Sequence, residues 1–550
     1  MCKGYRRRVM LLFYVFFGLG LYLVNCLFQI QVKENISWAL RAINQRSDSL
    51  PLYRQRGAIL DRFGRALTGQ DHRTYLAVFP ERLTEEEKQQ IMAVLGDQLF
   101  SGQKLSPVII SNPNQHLLAL AQQHNLQGLT LCNLPLRYAG KPLANHLLGY
   151  LHPAGGQGIA GLEYLFEEAL SSDTIVNLAL TADAHQRPIP GIGWKYREIN
   201  GEKPPKNLVL TIDLALQQAI EELLAEKEIT KGALLLTEAG TGKILALASR
   251  PVFDPYEPQK SINAPHAPLL NRALQAYPAG TLFNLPLAAA ALEVGAVTAR
   301  TTFYDPGLIE AETTAYYCFP DHAQSHGVLT FAQAVAYACR PVGAEVLKRV
   351  GWEKVIAVGQ KLGFDRVSGL GLPGEAAGYL PAPAELKDDA GILQGEQEVL
   401  VTPVQIAGVL QAIAGNGIYY PLRVVEGLLT VDGEWAWQAP PPRGEQVLSG
   451  ETASALQEIL EAVVLYGTGK KAQIRESAAG LAGSADSGKV DPEGRELSYG
   501  WFAGYAPAYQ PRLVGVVFLE EEPRAGERAA EVFGEMMGRC LELYLNSELD

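Results

Sequence analysis

Residues 9–28 form an apolar run of twenty positions in which Asn25 is the only strongly polar member, long enough to cross a bilayer as one helix. Beyond it the pattern breaks into short periodic segments. Leu216, Ile220 and Leu223 recur at helical spacing after Asp213, which predicts an N-cap and a helix to about Lys227. Apolar runs at 232–237 and 243–249, joined by Glu238-Ala239-Gly240-Thr241-Gly242, predict a hairpin. An alanine-rich, buried helix is predicted after Pro278-Ala279-Gly280. Thr330 is placed to cap a helix over 331–337 that Pro341 breaks. Thr402-Pro403-Val404-Gln405 reads as a capping box opening a helix to about Ala414. A strand over 511–519 and a helix from about Glu527 to Leu545 close the order, with Glu520-Glu521-Glu522 as a solvated strand end.

Lys3, Arg6, Arg7 and Arg8 precede the apolar run, so the positive-inside rule puts the N-terminus in the cytoplasm and the remaining ~520 residues outside. A cleaved signal peptide fits less well, because Leu27-Phe28-Gln29-Ile30 offers no small-x-small cleavage site. At 550 residues the chain has room for two to four domains with their own cores. A net charge of −12 argues against nucleic acid as the main partner. The cysteines, Cys2, Cys26, Cys132, Cys318, Cys339 and Cys540, form no C-x-x-C pair and are too sparse for a disulfide scaffold. Gly240-Thr241-Gly242-Lys243 lacks the spacing and the Ser/Thr of a phosphate loop.

Thr281 stands where the alanine-rich helix begins, a position from which free backbone N–H groups can hold a developing oxyanion. The stretch 271–293, NRALQAYPAGTLFNLPLAAAALE, closely resembles the active-site segment of penicillin-binding transpeptidases, Asn-Arg-Ala…Pro-Gly-Ser-x-x-Lys. Other segments carry the same resemblance. Arg56-Gly57-Ala58-Ile59-Leu60-Asp61-Arg62-Phe63-Gly64-Arg65-Ala66-Leu67 is similar to the motif that opens the extracytoplasmic part of class B members, with Phe63 in place of Asn. His146-Leu147-Leu148-Gly149-Tyr150 and Gly158-Ile159-Ala160-Gly161-Leu162-Glu163-Tyr164 resemble the pedestal. Thr402-Pro403-Val404-Gln405, Gly467-Thr468-Gly469 and Trp501-Phe502-Ala503-Gly504-Tyr505-Ala506-Pro507 continue it to the C-terminus.

The resemblance implies an α+β chain: a cytoplasmic tail (1–8), a transmembrane anchor (9–30), an elongated pedestal domain (31–206) and a transpeptidase/β-lactamase-like domain (207–550) with a central antiparallel sheet flanked by helices. It also assigns the reacting positions, and here the sequence departs. The serine nucleophile becomes Thr281 and the lysine base becomes Asn284, whose carboxamide has no usable basicity near neutral pH. The Ser-x-Asn loop becomes Ala338-Cys339-Arg340, and Lys-Thr-Gly becomes Leu481-Ala482-Gly483, followed by Ser484. These residues mark the substrate cleft. The implied role is a non-catalytic homologue in cell-wall assembly, anchored in the bacterial plasma membrane by one helix. Its expected partners are peptidoglycan or its precursors and a polytopic membrane peptidoglycan glycosyltransferase. No cofactor or metal is called for. The alternatives are a divergent transpeptidase working through Thr281, and a sensor of wall fragments or β-lactams.

Four further features offer other chemistry. Ser101-Gly102-Gln103-Lys104 keeps Ser-x-x-Lys, but lies in the pedestal without companion motifs. Cys339 with His326 offers a thiol and a base. His322 and His326, beside Asp321, have a spacing that ligates zinc only if helical, and the segment reads as loop. Arg340 offers a cation for an acidic group in the cleft.

Overall fold

The computed structural model describes residues 2–29, 47–95, 107–111, 113–122, 128–141, 143–152, 156–181, 194–199, 201, 203–310, 315–318, 325–383 and 399–547. Ser101-Gly102-Gln103-Lys104, Asp321 and His322 lie outside them, as do residues 187–193 ahead of the expected domain boundary at 206. The chain divides into two compact units that interleave along the sequence.

One unit gathers residues 1–55, 72–135 and 172–204. Its helix Cys2–Phe28 contains a span, Met10–Phe28, long and apolar enough to cross a membrane. A three-stranded sheet orders Val108–Ser111, His72–Val78 and Leu129–Pro135 antiparallel, with Leu76 and Val78 packed among Leu83, Ile91, Leu117 and Leu129.

The other unit gathers residues 56–71, 136–171 and 205–550, so two segments from before residue 206 fold with the C-terminal part. Its centre is an antiparallel five-stranded sheet in the order Ile244–Arg250, Gly232–Glu238, Leu513–Glu522, Glu496–Ala506, Ala479–Val490. Period-two alternation divides these strands between two cores. Leu235, Val516, Phe518, Trp501 and Leu481 join the core of Asn284–Glu293, Pro403–Ala414 and Gly450–Leu465. Leu234, Leu236, Val517 and Phe502 join that of Leu214–Glu226 and Ala525–Ser547. Helices on both faces explain why the central strands read as continuous apolar runs.

The predicted caps form. The Asp213 carboxylate accepts from Ala215 N, and both Thr330 with Gln333 and Thr402 with Gln405 close reciprocal capping boxes. Pro341 does more than stop a helix, since it sits in the first turn of the next one, Arg340–Val350. The expectation of a solvated strand end at 520–522 is corrected. The last strand runs to Glu522, and its three glutamates pair with Arg272, Lys231 and Arg528 respectively, because the cations on neighbouring elements converge there.

The segment 56–67 is built around Asp61, which is fully buried. Its carboxylate accepts from Phe63 N at 2.9 Å and Arg65 N at 2.8 Å and pairs with the Arg65 guanidinium. Asp61 therefore makes the turn, and Phe63 in place of Asn leaves it standing. Glu163 is likewise buried, between Arg56 at 2.7 Å and Arg137 at 2.5 Å.

Candidate active-site cleft

The stretch from Asn271 is fixed before any reacting group is reached. Asn271 caps its own turn by accepting from Ala273 N, and Arg272, 2 % exposed, pairs through Nε with Glu520 at 2.5 Å and donates to His266 O at 2.8 Å. Tyr277 donates to Glu520 at 3.4 Å, and burial followed by that carboxylate pushes its phenol pKa up. Trp501 Nε1 donates to Pro278 O at 3.0 Å. These bonds pin both ends of the loop to the central sheet.

Residues Gly280–Phe283 then make a 3-10 turn and Asn284–Glu293 an α-helix. Thr281 thus sits one turn ahead of the helix proper, against the edge strand that carries Leu481-Ala482-Gly483-Ser484. Its Oγ1 donates to Ala482 O at 3.3 Å and accepts from Ser484 N at 3.2 Å. The approach is close enough that a Cβ on Gly280, whose φ is +56°, would lie 2.2 Å from Ser484 O. Leu481 is buried in the core shared with the helix Asn284–Glu293, where a cation would find no solvation. Ala482 is half-buried and packs toward the opposite core, while Ser484 is exposed.

Asn284 lines a pocket of about 20 Å³ together with Leu287, Ala288, Phe331, Ala338 and Cys339, room for one water. The sequence-predicted residues on the first and second motif positions therefore do meet. Ala338 holds φ +52°, a strained conformation for a residue with a side chain. Arg340 opens the helix Arg340–Val350, half-buried and already engaged within the chain.

Cys339 and His326 also meet, in company the sequence did not reveal. Their Sγ and Nδ1 converge with Cys318 Sγ and an Asp305 oxygen, all within 4.8 Å of one another. Burial pushes the Cys339 thiol pKa up to about 11 and raises that of Cys318 as well. Both are thus thiols at neutral pH, which weakens the thiol-nucleophile reading. Asp305 runs the other way. Burial opposes its charge, yet bonds from His326 N, the Cys318 thiol and Gly307 N hold its carboxyl below the ordinary value. Sequence reasoning had no route to Asp305 or Cys318. Asp305 reaches the cluster because the strand Thr302–Asp305 pairs with Gly327–Thr330, setting it opposite Gly327, and Cys318 because Leu308–Glu310 pairs with Ala315–Tyr317, setting Tyr317 opposite Leu308.

With this geometry in place, comparison with known proteins is informative. Residues 232–538, more than half of the chain, match the family described as penicillin binding protein transpeptidase domain. The chain belongs to that family. Among curated relatives, it is 28 % identical over 571 aligned residues to Stage V sporulation protein D of Bacillus subtilis, covering 96 % of this chain and 85 % of that protein. It is 26 % identical over 477 residues to peptidoglycan D,D-transpeptidase FtsI of Escherichia coli, covering 81 % and 76 %. A solved chain from work on structural coordination of polymerization and crosslinking by a peptidoglycan synthase complex superposes with a TM-score of 0.70 at 26 % identity, covering 96 % and 97 %. Penicillin binding protein 3 of Mycobacterium tuberculosis complexed with ampicillin shares the fold at a TM-score of 0.63 and 22 % identity, covering 90 % and 96 %.

Proposed function

We propose that this protein is a non-catalytic penicillin-binding-protein homologue that acts in peptidoglycan assembly as a membrane-anchored scaffold or regulator. The observation that carries the reading is the pocket beside Asn284. A carboxamide occupies the base position, and the surrounding wall is alanine, leucine, phenylalanine and cysteine. Loss of general-base catalysis alone lowers a rate by about 10²–10⁴. At the other two motif positions Ala338 lacks a hydroxyl and Arg340 replaces an amide that would hold a substrate, while Leu481 and Ala482 lack the cation and the hydroxyl that would grip its carboxylate. On this reading the helix at 9–30 anchors the chain with its N-terminus inside. The segments of 31–206 serve as the pedestal, and the 207–550 part offers a former cleft for weak contact with peptidoglycan. The likeness to a chain of a peptidoglycan synthase complex supports a polytopic glycosyltransferase as the membrane partner.

One observation favours a second reading, a slow transpeptidase. Thr281 keeps a hydroxyl in contact with Ser484 N, a backbone donor of the kind that stabilises an oxyanion. The two readings separate in the native host. A Thr281→Ala allele, at membrane abundance matched to wild type, is expected to leave wall cross-linking and growth unchanged, whereas deletion of the gene gives its full phenotype. A Thr281→Ala phenotype equal to deletion and reversed by Thr281→Ser would overturn the scaffold reading.

A further inference from the structure

Beside the cleft, four side chains from four separate positions of the fold turn inward on one point. Asp305 ends the strand Thr302–Asp305, Cys318 follows Ala315–Tyr317, His326 precedes Gly327–Thr330, and Cys339 is the N-cap of Arg340–Val350. We propose that Asp305, Cys318, His326 and Cys339 form a structural zinc site that clamps the wall of the cleft.

Three independent features point to it. The first is geometric. The two sulfurs are 3.7 Å apart, and two thiolates on one tetrahedral zinc, each at about 2.3 Å, lie about 3.8 Å apart. His326 Nδ1 is 3.0 Å from Cys318 Sγ and 2.9 Å from Asp305 Oδ2. These are hydrogen-bond lengths, and opening them by about half an ångström gives the ligand separations that zinc requires. A disulfide fits less well, since bonded sulfurs lie about 2.05 Å apart and closure would leave the imidazole and the carboxylate without a role.

The second is charge. Asp305 is fully buried, and its carboxylate accepts from His326 N at 2.9 Å and Gly307 N at 2.8 Å. Zinc binding forms two Zn–S bonds and releases the two thiol protons to solvent, while the neutral imidazole keeps its single proton by carrying it on Nε2. One dipositive ion exchanged for two protons leaves the net charge of the buried cluster unchanged. No further counter-charge has to be buried.

The third is the outer layer of contacts. Asp305 Oδ1 accepts from Gly307 N at 2.8 Å, and the His326 ring stacks on Tyr337 at 4.9 Å with planes 9° apart. Metal-binding side chains are commonly held in place in this way. The donor set, two sulfurs with one nitrogen and one oxygen, suits zinc and disfavours magnesium or calcium. Four protein ligands leave no open position, so the ion would shape the structure and activate no water. Its effect would be local. Cys339 adjoins the strained Ala338 and lines the pocket shared with Asn284, so the clamp would hold that wall rigid whether or not Thr281 reacts.

The test uses the full chain in detergent, with ZnCl2 as the only added metal, followed by desalting and elemental analysis. About one zinc per chain is expected. Zinc content is expected to fall at least tenfold in the Cys318→Ser/Cys339→Ser variant and to hold in Cys132→Ser/Cys540→Ser. The wild-type protein supplies a second readout that does not depend on the folding of any variant. A chelator should lower its Tm and Zn2+, but not Mg2+, should restore it, and Co2+ loading should give a thiolate-to-cobalt charge-transfer band. Less than 0.1 zinc per chain with no such band would overturn the proposal. Zinc retained equally by the Cys318→Ser/Cys339→Ser variant would do so too, as would a Cys318–Cys339 disulfide in protein isolated without oxygen in the presence of zinc.

Discussion

At the scale of the residue, the side chains around Thr281 and Asn284 are firmly held. Thr281 is held by two bonds to one strand, and Arg272 remains buried against Glu520, yet neither neighbour supplies Asn284 with basicity. A second residue has a role that sequence did not disclose. His146 donates to Pro268 O at 2.7 Å and meets the edge of Phe253 at 5.2 Å. Burial first, and then Arg250 and Arg272, depress its pKa from 6.5 to about 4. The neutral ring is therefore the folded form. Above pH 6.5 neither state binds the proton and the contribution is complete. As pH falls from 6.5 toward 4 the unfolded chain takes up a proton that the folded one refuses, so stability is lost in that window. Linkage over such a shift gives a loss of about 2 kcal/mol between pH 7 and pH 5. Urea midpoints at the two pH values should show this loss in the wild type and a smaller one in His146→Gln. Equal losses in both would contradict the assignment. The resemblance marked His146 as part of a pedestal motif, but nothing local in sequence says that Pro268 and Phe253 close over it.

At the scale of the element, the decisive contact is the approach of the turn Gly280–Phe283 to the strand Ala479–Val490. Gly280 meets two demands at once: a left-handed φ of +56°, and space for Ser484 O, which a Cβ would approach to 2.2 Å. Gly240 meets only the first, with φ +72° and nothing within 4 Å of its Cβ position. Left-handed backbone costs an ordinary residue roughly 1–2 kcal/mol. Gly240→Ala should therefore lose about that much, and Gly280→Ala at least about 1 kcal/mol more, as measured by denaturant unfolding. Equal losses would mean that the strand yields without cost. Elements of this kind divide cleanly by legibility. Asp213, Thr330 and Thr402 announced their helices because a cap is satisfied within three residues. The roles of Glu163 and Glu520 were hidden, because their arginine partners come from distant segments and only tertiary packing sets the pairing. Asp305 and Cys318 stayed hidden for the same reason, since strand pairing and not spacing brings them to His326.

Across the whole molecule, the apolar runs carried the N-terminal span, the hairpin and the last strand and helix, while the antiparallel sheet flanked by helices was implied by the family resemblance. The interleaving of the compact units was not legible. Residues 56–71 and 136–171 join the C-terminal part through strands and ion pairs such as Arg65 with Asp213 at 3.0 Å, and short segments of that kind carry no periodicity of their own. The fold is that of a penicillin-binding-protein transpeptidase domain, and the function proposed for it rests on Asn284 standing where a base would be expected. The measurement that bears most directly on this is acylation of the folded full-length protein by a labelled β-lactam, read by intact mass beside Thr281→Ala and Cys339→Ala. No adduct is expected on any of the three. An adduct on the wild type that disappears only in Thr281→Ala would show an activated threonine and contradict the account.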